Sequence, residues 1–277
     1  MKRNKPPIEK VDRSLIRSKE IEAATFFVIL RYIISQLIEE IKSGLTYLSF
    51  FMLDSESRKI LCQVRRRGFF IIKNYEFFED IDTINRNCDE AKEGVTDVLN
   101  LPGSIRFKRL EKFSSFFETF RKESYFKKLN FFYTFRLSNA VTMLSETRAE
   151  DLKGRSITSD DFFADYPHFD LFKRQLKVAV ALTNIKDVNG PTEFIPYSSG
   201  YKAEVFRSYL SSWLALKKIV IGGKPFLPEN YYTKLKKKYG SELITMEKGD
   251  ILIFDSRNFH RATHLSKGFR KILWLYY

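Results

Sequence analysis

Apolar residues in the first half of the chain recur mainly at helical spacing. The predicted helices span 15–41, 43–54, 79–99 and 112–129. A loose arm at 1–12, which contains two adjacent prolines, precedes them. The compact apolar run GFFIIKN at 68–74 predicts a buried strand within this half.

The pattern changes at Asn130, after which short β-like runs dominate. Turn signals such as VNGP, EKGD and SKG separate several of these runs. The runs are 131–144, 176–185, 192–196, 242–246, 250–255 and 269–277. Many short strands without helices between them predict a mainly β architecture, an antiparallel sandwich or barrel. Residues 200–240 interrupt the strands with a predicted helix, a loop and a second short helix.

The most apolar stretch, residues 23–53, is the candidate for a membrane span or an export signal. Its first apolar run contains Arg31 and is about 15 residues long, whereas a spanning helix needs roughly 20. The acidic residues before it and the absence of a small-residue cleavage site argue against a signal peptide. We expect a helix pair packed on a sheet in a cytoplasmic protein. Peripheral contact of this pair with the inner face of a membrane stays open.

Composition and charge exclude several classes of protein. The chain has 277 residues, of which 44% are hydrophobic, so it is long and apolar enough to bury a sizeable core. Two cysteines without a CxxC pair argue against a disulfide framework or a cysteine-built zinc site. The net charge of +14 indicates an anionic partner. No nucleic-acid motif accompanies the basic runs RRR and KLKKK, so nucleic acid is not expected.

The positive charge is concentrated between residues 201 and 240, which hold nine basic and two acidic residues. Such a run is usually a solvated face. Its position between predicted strands also makes it a candidate flap over a substrate. We therefore divide the chain into an N-terminal arm with a helical extension at 1–60 and a β domain at 61–277, with a basic insert at about 200–240.

Four residues in the β-rich half form a pattern of three candidate metal ligands and one arginine. His168 and Asp170 lie two positions apart, so on an extended segment both side chains point to one side and reach one metal ion. His260 follows the run ILIFD, and Arg270 comes ten residues later. Two histidines and a carboxylate form the facial triad of non-haem Fe(II) oxygenases. A guanidinium suits the far carboxylate of 2-oxoglutarate, because its fork makes two parallel hydrogen bonds.

His264 is a rival to His260 as the third ligand, because positions i and i+4 share one face of a strand. The context FDSRNFH and the spacing to Arg270 favour His260. A satisfied polar cluster in an inert barrel is the alternative interpretation of the whole set.

Three segments of the chain resemble the phytanoyl-CoA dioxygenase family. They are DYPHFD at 165–170, LKVAVALTNIKDVNGPTEFIPYSS at 176–199 and EKGDILIFDSRNFHRATHLSKGFRKILWLYY at 247–277. GFFIIKN resembles an early strand of the same family, so the resemblance covers about 68–277. It implies a double-stranded β-helix (a cupin-like jelly roll), with the N-terminal helices packed on it. The cofactors that it implies are Fe(II), 2-oxoglutarate and dioxygen.

Carried over by position, the resemblance implies that His168, Asp170 and His260 hold the metal and that Arg270 anchors 2-oxoglutarate. The sequence departs from the family at Pro167, where tryptophan is frequent. It departs again at Ala262, where many members have a hydroxyl residue, although Thr263 follows. A secondary contact to the co-substrate is therefore missing or replaced.

The residues together predict an Fe(II)- and 2-oxoglutarate-dependent oxygenase that releases succinate and CO2. The substrate is expected to be small or linked to a lipid or carrier, and anionic. In related halogenases a small residue replaces the carboxylate, so Asp170 favours hydroxylation of a C–H bond. Two alternatives remain: a catalytically inactive jelly-roll binding module, and a membrane-surface hydroxylase of a glycolipid or lipopolysaccharide sugar.

Overall fold

The structure is a computed structural model that describes most of the chain after residue 33. The described residues are 34, 37–39, 41–42, 44–73, 80–101, 104–123, 125–150, 167–170, 174–198, 220–221, 224–225 and 229–277. The described residues between 34 and 49 are helical, and a 3₁₀ turn, Phe50–Met52, follows them. Five further helices are α1 (Ser55–Arg67), α2 (Ile81–Gly94), α3 (Ser115–Glu123), α4 (Tyr125–Thr134) and α5 (Glu229–Tyr239).

Twelve strands complete the described secondary structure. They are β1 (Phe69–Ile72), β2 (Val98–Leu101), β3 (Ser104–Lys108), β4 (Val141–Arg148), β5 (Leu176–Ala181), β6 (Thr192–Phe194), β7 (Val220–Ile221), β8 (Lys224–Pro225), β9 (Glu242–Ile244), β10 (Ile251–Asp255), β11 (His260–Ala262) and β12 (Phe269–Tyr276). Seven of them form one antiparallel sheet in the order β1-β10-β5-β12-β4-β3-β2. A smaller antiparallel sheet has the order β11-β6-β9, and β7 pairs with β8.

The two larger sheets face each other, and helices cover the other side of the seven-stranded sheet. Alternate residues of β5 show the division: Leu176, Val178 and Val180 pack with the helices, whereas Ala179 and Ala181 pack towards the smaller sheet. Phe194 of β6 joins that inner cluster. The sheets therefore enclose an interior, the arrangement of a jelly roll.

Local sequence fixes the junction between α1 and β1. The Asp54 side chain accepts a hydrogen bond from the Ser57 backbone N–H and caps the helix N-terminus. Three arginines fill the last turn, where the helix dipole favours cations. Gly68 ends the helix with a φ of 97°, a conformation that favours glycine, and the chain enters β1 directly.

Most of the predicted strands are present, and the errors lie in and beside the segments that fold as helices. The runs at 68–74, 176–185, 192–196, 242–246, 250–255 and 269–277 contain β1, β5, β6, β9, β10 and β12. The predicted helix at 79–99 ends at Gly94, and its last residues belong to β2. The predicted helix at 112–129 is divided between a second 3₁₀ turn, Leu110–Lys112, and the helices α3 and α4. The predicted helix after residue 200 lies outside the described residues, and the short helix predicted after it is α5.

The β prediction at 131–144 is wrong in its first part, because α4 continues to Thr134. Phe126, Leu129 and Tyr133 are fully buried and follow helical spacing along α4. The aromatic residues of this run have a high β propensity, but packing of the helix in the core overrides it. The boundary proposed between residues 60 and 61 stays a prediction, and helix α1 runs across it.

The described part of the N-terminal helical segment is only partly buried. Glu39, Thr46 and Phe50 are buried. An apolar stripe on the same segment is exposed: Ile34, Leu37, Ile38, Ile41, Leu45, Leu48, Phe51 and Met52. Among the described helices, none is long and apolar enough to span a bilayer.

Candidate metal centre

Backbone pairing brings His168 and His260 together at the inner side of the jelly roll. His168 and His260 form an isolated antiparallel bridge, in which each backbone N–H donates to the other residue's carbonyl at 2.9 Å. The Asp170 backbone N–H donates to the Ser256 carbonyl at 2.8 Å. The HxD segment is therefore fastened along the connection from β10 to β11, and its position is set by main-chain hydrogen bonds.

The side chains of His168, Asp170 and His260 converge on one point. One ligand atom from each residue lies within 4.8 Å of the other two. His260 Nε2 is 3.4 Å from Asp170 Oδ2, and His168 Nε2 is 3.9 Å from Asp170 Oδ1. None of the three side chains is more than 10% exposed. Two imidazole nitrogens and a carboxylate oxygen at this separation fit the donor set of a facial triad.

Hydrogen bonding and aromatic packing fix the orientation of the His260 ring. Its Nδ1 atom lies 2.8 Å from the Asn258 carbonyl oxygen, which leaves Nε2 directed to Asp170. Phe194 stacks on the imidazole with ring centroids 5.4 Å apart, and Phe254 contacts it edge-on at 5.3 Å. This packing keeps water away from one side of the site.

A lysine that the motif analysis did not single out lies against the triad. Lys177 Nζ is 2.6 Å from Asp170 Oδ2 and 4.5 Å from the centre of the Tyr276 ring. Its side chain is 9% exposed. The sequence held a signal for it, because Lys177 interrupts the apolar run LKVAVA at a position that faces the interior.

The charges at this site stabilise one another. Burial raises the pKa of Asp170, but the charges of Lys177 and the two histidines lower it by more, so the pKa lies well below its ordinary value. Burial lowers the pKa of the Lys177 ammonium, and the attraction of Asp170 opposes this shift. Asp170 is therefore an anion at neutral pH, the form that binds a metal ion.

Arg270 lies in the interior beside the turn that the motif VNGP predicted. Its Nη1 atom donates to the Gly190 carbonyl, and Gly190 has a φ of 69°. A Cβ atom at Gly190 would approach the Thr263 carbonyl oxygen to 2.8 Å and Arg270 Nη1 to 3.2 Å. Arg270, Ala179 and Trp274 line a narrow cavity between the sheets.

The remaining residues that the sequence singled out lie outside the group of three converging side chains. His264 is exposed and is not among the three converging residues. Thr263, the hydroxyl residue next to Ala262, donates to the Pro191 carbonyl at 2.7 Å. Pro167 is buried next to His168. Most of the basic insert lies outside the described residues. Its described helix, α5, ends in consecutive lysines at 236–238, of which Lys236 is bonded to Glu193 at 2.6 Å.

The sequence model of phytanoyl-CoA dioxygenase (PhyH) matches residues 65–272 of the chain. The chain belongs to the phytanoyl-CoA dioxygenase family. Among proteins of curated function, no sequence matches the chain significantly.

Solved structures with low sequence identity share the fold. EctD from S. alaskensis is 13% identical, with a TM-score of 0.56 over 81% of this chain and 76% of EctD. The epimerase SnoN, crystallised with Fe3+, alpha ketoglutarate and nogalamycin RO, is 12% identical, with a TM-score of 0.52 over 80% of this chain and 83% of SnoN. AviO1 from Streptomyces viridochromogenes Tue57 is 14% identical, with a TM-score of 0.52 over 81% of this chain and 96% of AviO1.

Family membership and the shared fold confirm the predicted family and the predicted jelly roll with helices. The family also confirms the predicted enzyme class, an Fe(II)- and 2-oxoglutarate-dependent oxygenase. Fe(II) and 2-oxoglutarate are the cofactors of that class, and the converging side chains of His168, Asp170 and His260 fit the metal.

Proposed function

We propose that the chain hydroxylates a C–H bond of an anionic substrate, with Fe(II) held by His168, Asp170 and His260 and with 2-oxoglutarate anchored by Arg270. The observation that carries the proposal is the convergence of the three ligand atoms within 4.8 Å at a buried site. When bound, Fe(II) would supply the oxidising chemistry, in which dioxygen is the oxidant: one of its oxygen atoms enters succinate as 2-oxoglutarate loses CO2, and the other becomes the hydroxyl oxygen of the substrate.

The chain's own residues have separate tasks in this proposal. His168, Asp170 and His260 would hold the ion through two imidazole nitrogens and one carboxylate oxygen, a donor set that leaves a bound metal accessible to co-substrate. The guanidinium of Arg270 pairs with the far carboxylate of 2-oxoglutarate. Phe194 and Phe254 exclude water beside His260, so that the reaction proceeds in a dry environment.

Anaerobic titration with Fe(II) and 2-oxoglutarate tests the site. We expect the visible charge-transfer band of the chelate in the wild-type protein, loss of the band in His168→Ala and weaker 2-oxoglutarate binding in Arg270→Ala. His264→Ala is the matched control, because it removes an exposed histidine near His260, and it should keep the band. Absence of the band in the folded wild-type protein would instead support the inactive binding module.

Hydroxylation and the charge of the substrate are tested by turnover. The structural neighbours include an epimerase and EctD, whose crystals held 2-oxoglutarate and 5-hydroxyectoine, so shared fold does not select the reaction. Carboxylated or phosphorylated compounds are offered beside neutral analogues of equal size. We expect the anionic member of a pair to stimulate succinate formation and to gain one oxygen atom, seen by mass spectrometry. Stimulation by neutral analogues alone would contradict an anionic substrate.

A membrane-surface version of this activity, acting on a glycolipid or lipopolysaccharide sugar, is a second candidate. The exposed apolar stripe on the N-terminal helical segment favours it, because an interfacial helix buries such a face among lipid headgroups. Co-sedimentation with phosphatidylcholine vesicles, with and without phosphatidylglycerol, tests it at low and high salt. Binding should weaken in the double variant Leu37→Ser, Ile41→Ser. Wild-type protein that stays in the supernatant in every condition would remove this version.

A further inference from the structure

Arg106 of β3 is a second cation on the inner face of the seven-stranded sheet. It lies opposite Ser145 of β4, which lies opposite Ile272 of β12, a member of the inner cluster. Directly opposed residues of antiparallel strands share one face, so Arg106 projects towards the interior. Its Nε atom is buried without a hydrogen-bond partner, and Arg106 forms no ion pair with any described residue.

Such a guanidinium is unusual in a folded protein. Arginine carries five donors and stays protonated; Arg106 as a whole is half-buried, and a buried donor such as its Nε–H is normally paired. Leaving a buried donor unsatisfied costs about 1 to 3 kcal/mol, and more for a charged group. A guanidinium without a partner in the described part of the chain is therefore suited to a ligand that carries a carboxylate or a phosphate.

The inner face as a whole carries an excess of positive charge. Among the described residues, the inward positions of β3, β5 and β12 hold Arg106, Lys108, Lys177 and Arg270 and no carboxylate. Lys108 is matched by Asp97 at 3.5 Å. The charge of Arg106 acts on both Lys177 and Tyr276, which places it on the side of the sheet where the triad lies.

A count of formal charges shows which positive side chains the bound cofactors would leave without a counter-charge. The two negative charges of 2-oxoglutarate balance Arg270 together with the net charge of Fe(II) and Asp170. The charges of the buried Lys177 and the half-buried Arg106 then stay unbalanced on the inner face of the sheet. We propose that Arg106, with Lys177 near it, forms a second anion-binding position that takes a carboxylate or phosphate group. This inference rests on the proposed oxygenase function.

Two ligands can supply that anionic group, the substrate and 2-oxoglutarate itself, and two titrations separate them. The protein is loaded with Mn(II), which keeps the site redox-inert. The first titration adds 2-oxoglutarate. The second adds inorganic phosphate, and separately acetate, to protein saturated with 2-oxoglutarate. Calorimetry measures the affinity for each added anion. The proteins compared are the wild type, Arg106→Gln, Arg106→Lys and the control Lys108→Gln.

We expect Arg106→Gln to lose at least tenfold of the phosphate or acetate affinity and to keep its 2-oxoglutarate affinity. Arg106→Lys should retain part of the affinity, and Lys108→Gln should match the wild type. A tenfold loss in the first titration instead would assign the same position to the carboxylate of 2-oxoglutarate. Equal affinities of wild type and Arg106→Gln in both titrations would overturn the inference. It would also be overturned if the wild type bound neither phosphate nor acetate and Arg106→Gln kept its 2-oxoglutarate affinity.

Failure of this inference and failure of the proposed function are distinguishable. The charge-transfer band of the Fe(II) and 2-oxoglutarate complex reports the proposed function and does not require Arg106. A band in Arg106→Gln with unchanged anion affinities would overturn the anion-binding position alone. A wild type without the band would overturn the oxygenase function. Circular dichroism confirms that each variant is folded before it is compared.

Discussion

Lys177 Nζ lies 2.6 Å from Asp170 Oδ2, so a buried ammonium shares the carboxylate that completes the proposed facial triad. A divalent ion bound by Asp170 would have this cation as a close neighbour. At an effective dielectric constant of about 20, unit charges 4 Å apart interact by about 4 kcal/mol, and the ion carries two charges. Lys177 therefore competes with the metal for Asp170.

Replacing Lys177 by methionine should tighten metal binding. We expect Lys177→Met to bind Zn(II) or Co(II) at least about tenfold more tightly than the wild type, as measured by competition with a chromophoric chelator. Lys271→Met is the matched control, since Lys271 is a 5% exposed lysine of β12 that pairs with Asp89 at 2.7 Å instead of with the triad. A lower affinity in Lys177→Met would show that the lysine chiefly orients Asp170.

Glu193 makes the strand that carries His260 sensitive to acid. It bonds to Lys236 of α5 and to Arg261 of β11, each at 2.6 Å. Burial raises the pKa of Glu193, but hydrogen bonds from Lys236, Ser241 and Arg261 lower it by more, to about 2 from an ordinary 4.5. Because the folded state has the lower pKa, the stabilisation is complete above pH 4.5 and is lost as the pH falls towards 2.

The variant Glu193→Gln should therefore be less stable than the wild type at pH 7, by about 1 to 3 kcal/mol. This difference should shrink as the pH falls from 4.5 towards 2, in urea unfolding measured at each pH. Glu242→Gln is the comparison, because its more exposed pair with Arg67 contributes less than about 1 kcal/mol. A difference for Glu193→Gln that is constant with pH would contradict the assignment.

Gly68 links the end of α1 to the proposed metal centre through Asn258. A Cβ atom at Gly68 would meet the Asn258 side chain at 2.3 to 2.5 Å, and the Asn258 carbonyl orients His260. The φ of 97° adds a backbone cost of roughly 1 to 2 kcal/mol for any residue with a side chain. Gly68→Ala should thus combine a loss of stability with weaker metal binding.

We expect Gly68→Ala to lower the free energy of unfolding by at least about 2 kcal/mol, from the backbone cost together with the clash. Gly249→Ala isolates the backbone cost, because Gly249 has a similar φ of 94° and nothing within 4 Å of its Cβ position. Denaturant unfolding of both variants and a Zn(II) titration check the prediction. Equal losses of stability in the two variants would show that Asn258 moves aside without cost.

The two cysteines should differ sharply in reactivity. Burial raises the pKa of the Cys88 thiol to about 12, whereas Cys62 is partly accessible. A thiol reagent attacks the thiolate, so at pH 8 native Cys62→Ser protein should react only as fast as it unfolds. Native Cys88→Ser protein should react faster. Rapid labelling of Cys62→Ser without denaturant would show that α2 opens readily.

The sequence located the proposed triad because its ligands lie in short, local motifs. His168 and Asp170 are two residues apart, and His260 follows a strand whose apolar run is unambiguous. The positions of β5 and β10 were also predictable. Both strands are buried on both faces, and such strands have nearly continuous apolar runs in the sequence. Arg106 was not predictable in this way, because its direction depends on the pairing of β3 with β4 across a long connection.

The helical half was less predictable because its aromatic residues suit two structures. The run at 131–134 has high β propensity, yet Tyr133 is buried on helix α4 and its hydroxyl bonds to Asp255 at 2.7 Å. That hydrogen bond joins residues far apart in sequence, which local patterns do not contain. The exposed stripe from Ile34 to Met52 was also unforeseen, since its spacing alone predicts a packed face.

The reciprocal main-chain hydrogen bonds between His168 and His260 hold the two histidines together through backbone atoms alone. Main-chain bonds do not depend on the identity of the side chains around them. The pairing of His168 with His260 is therefore compatible with different side chains at the described positions beside it. An architecture of this kind allows new substrates to be acquired by changing those side chains, while the oxidising centre is inherited intact.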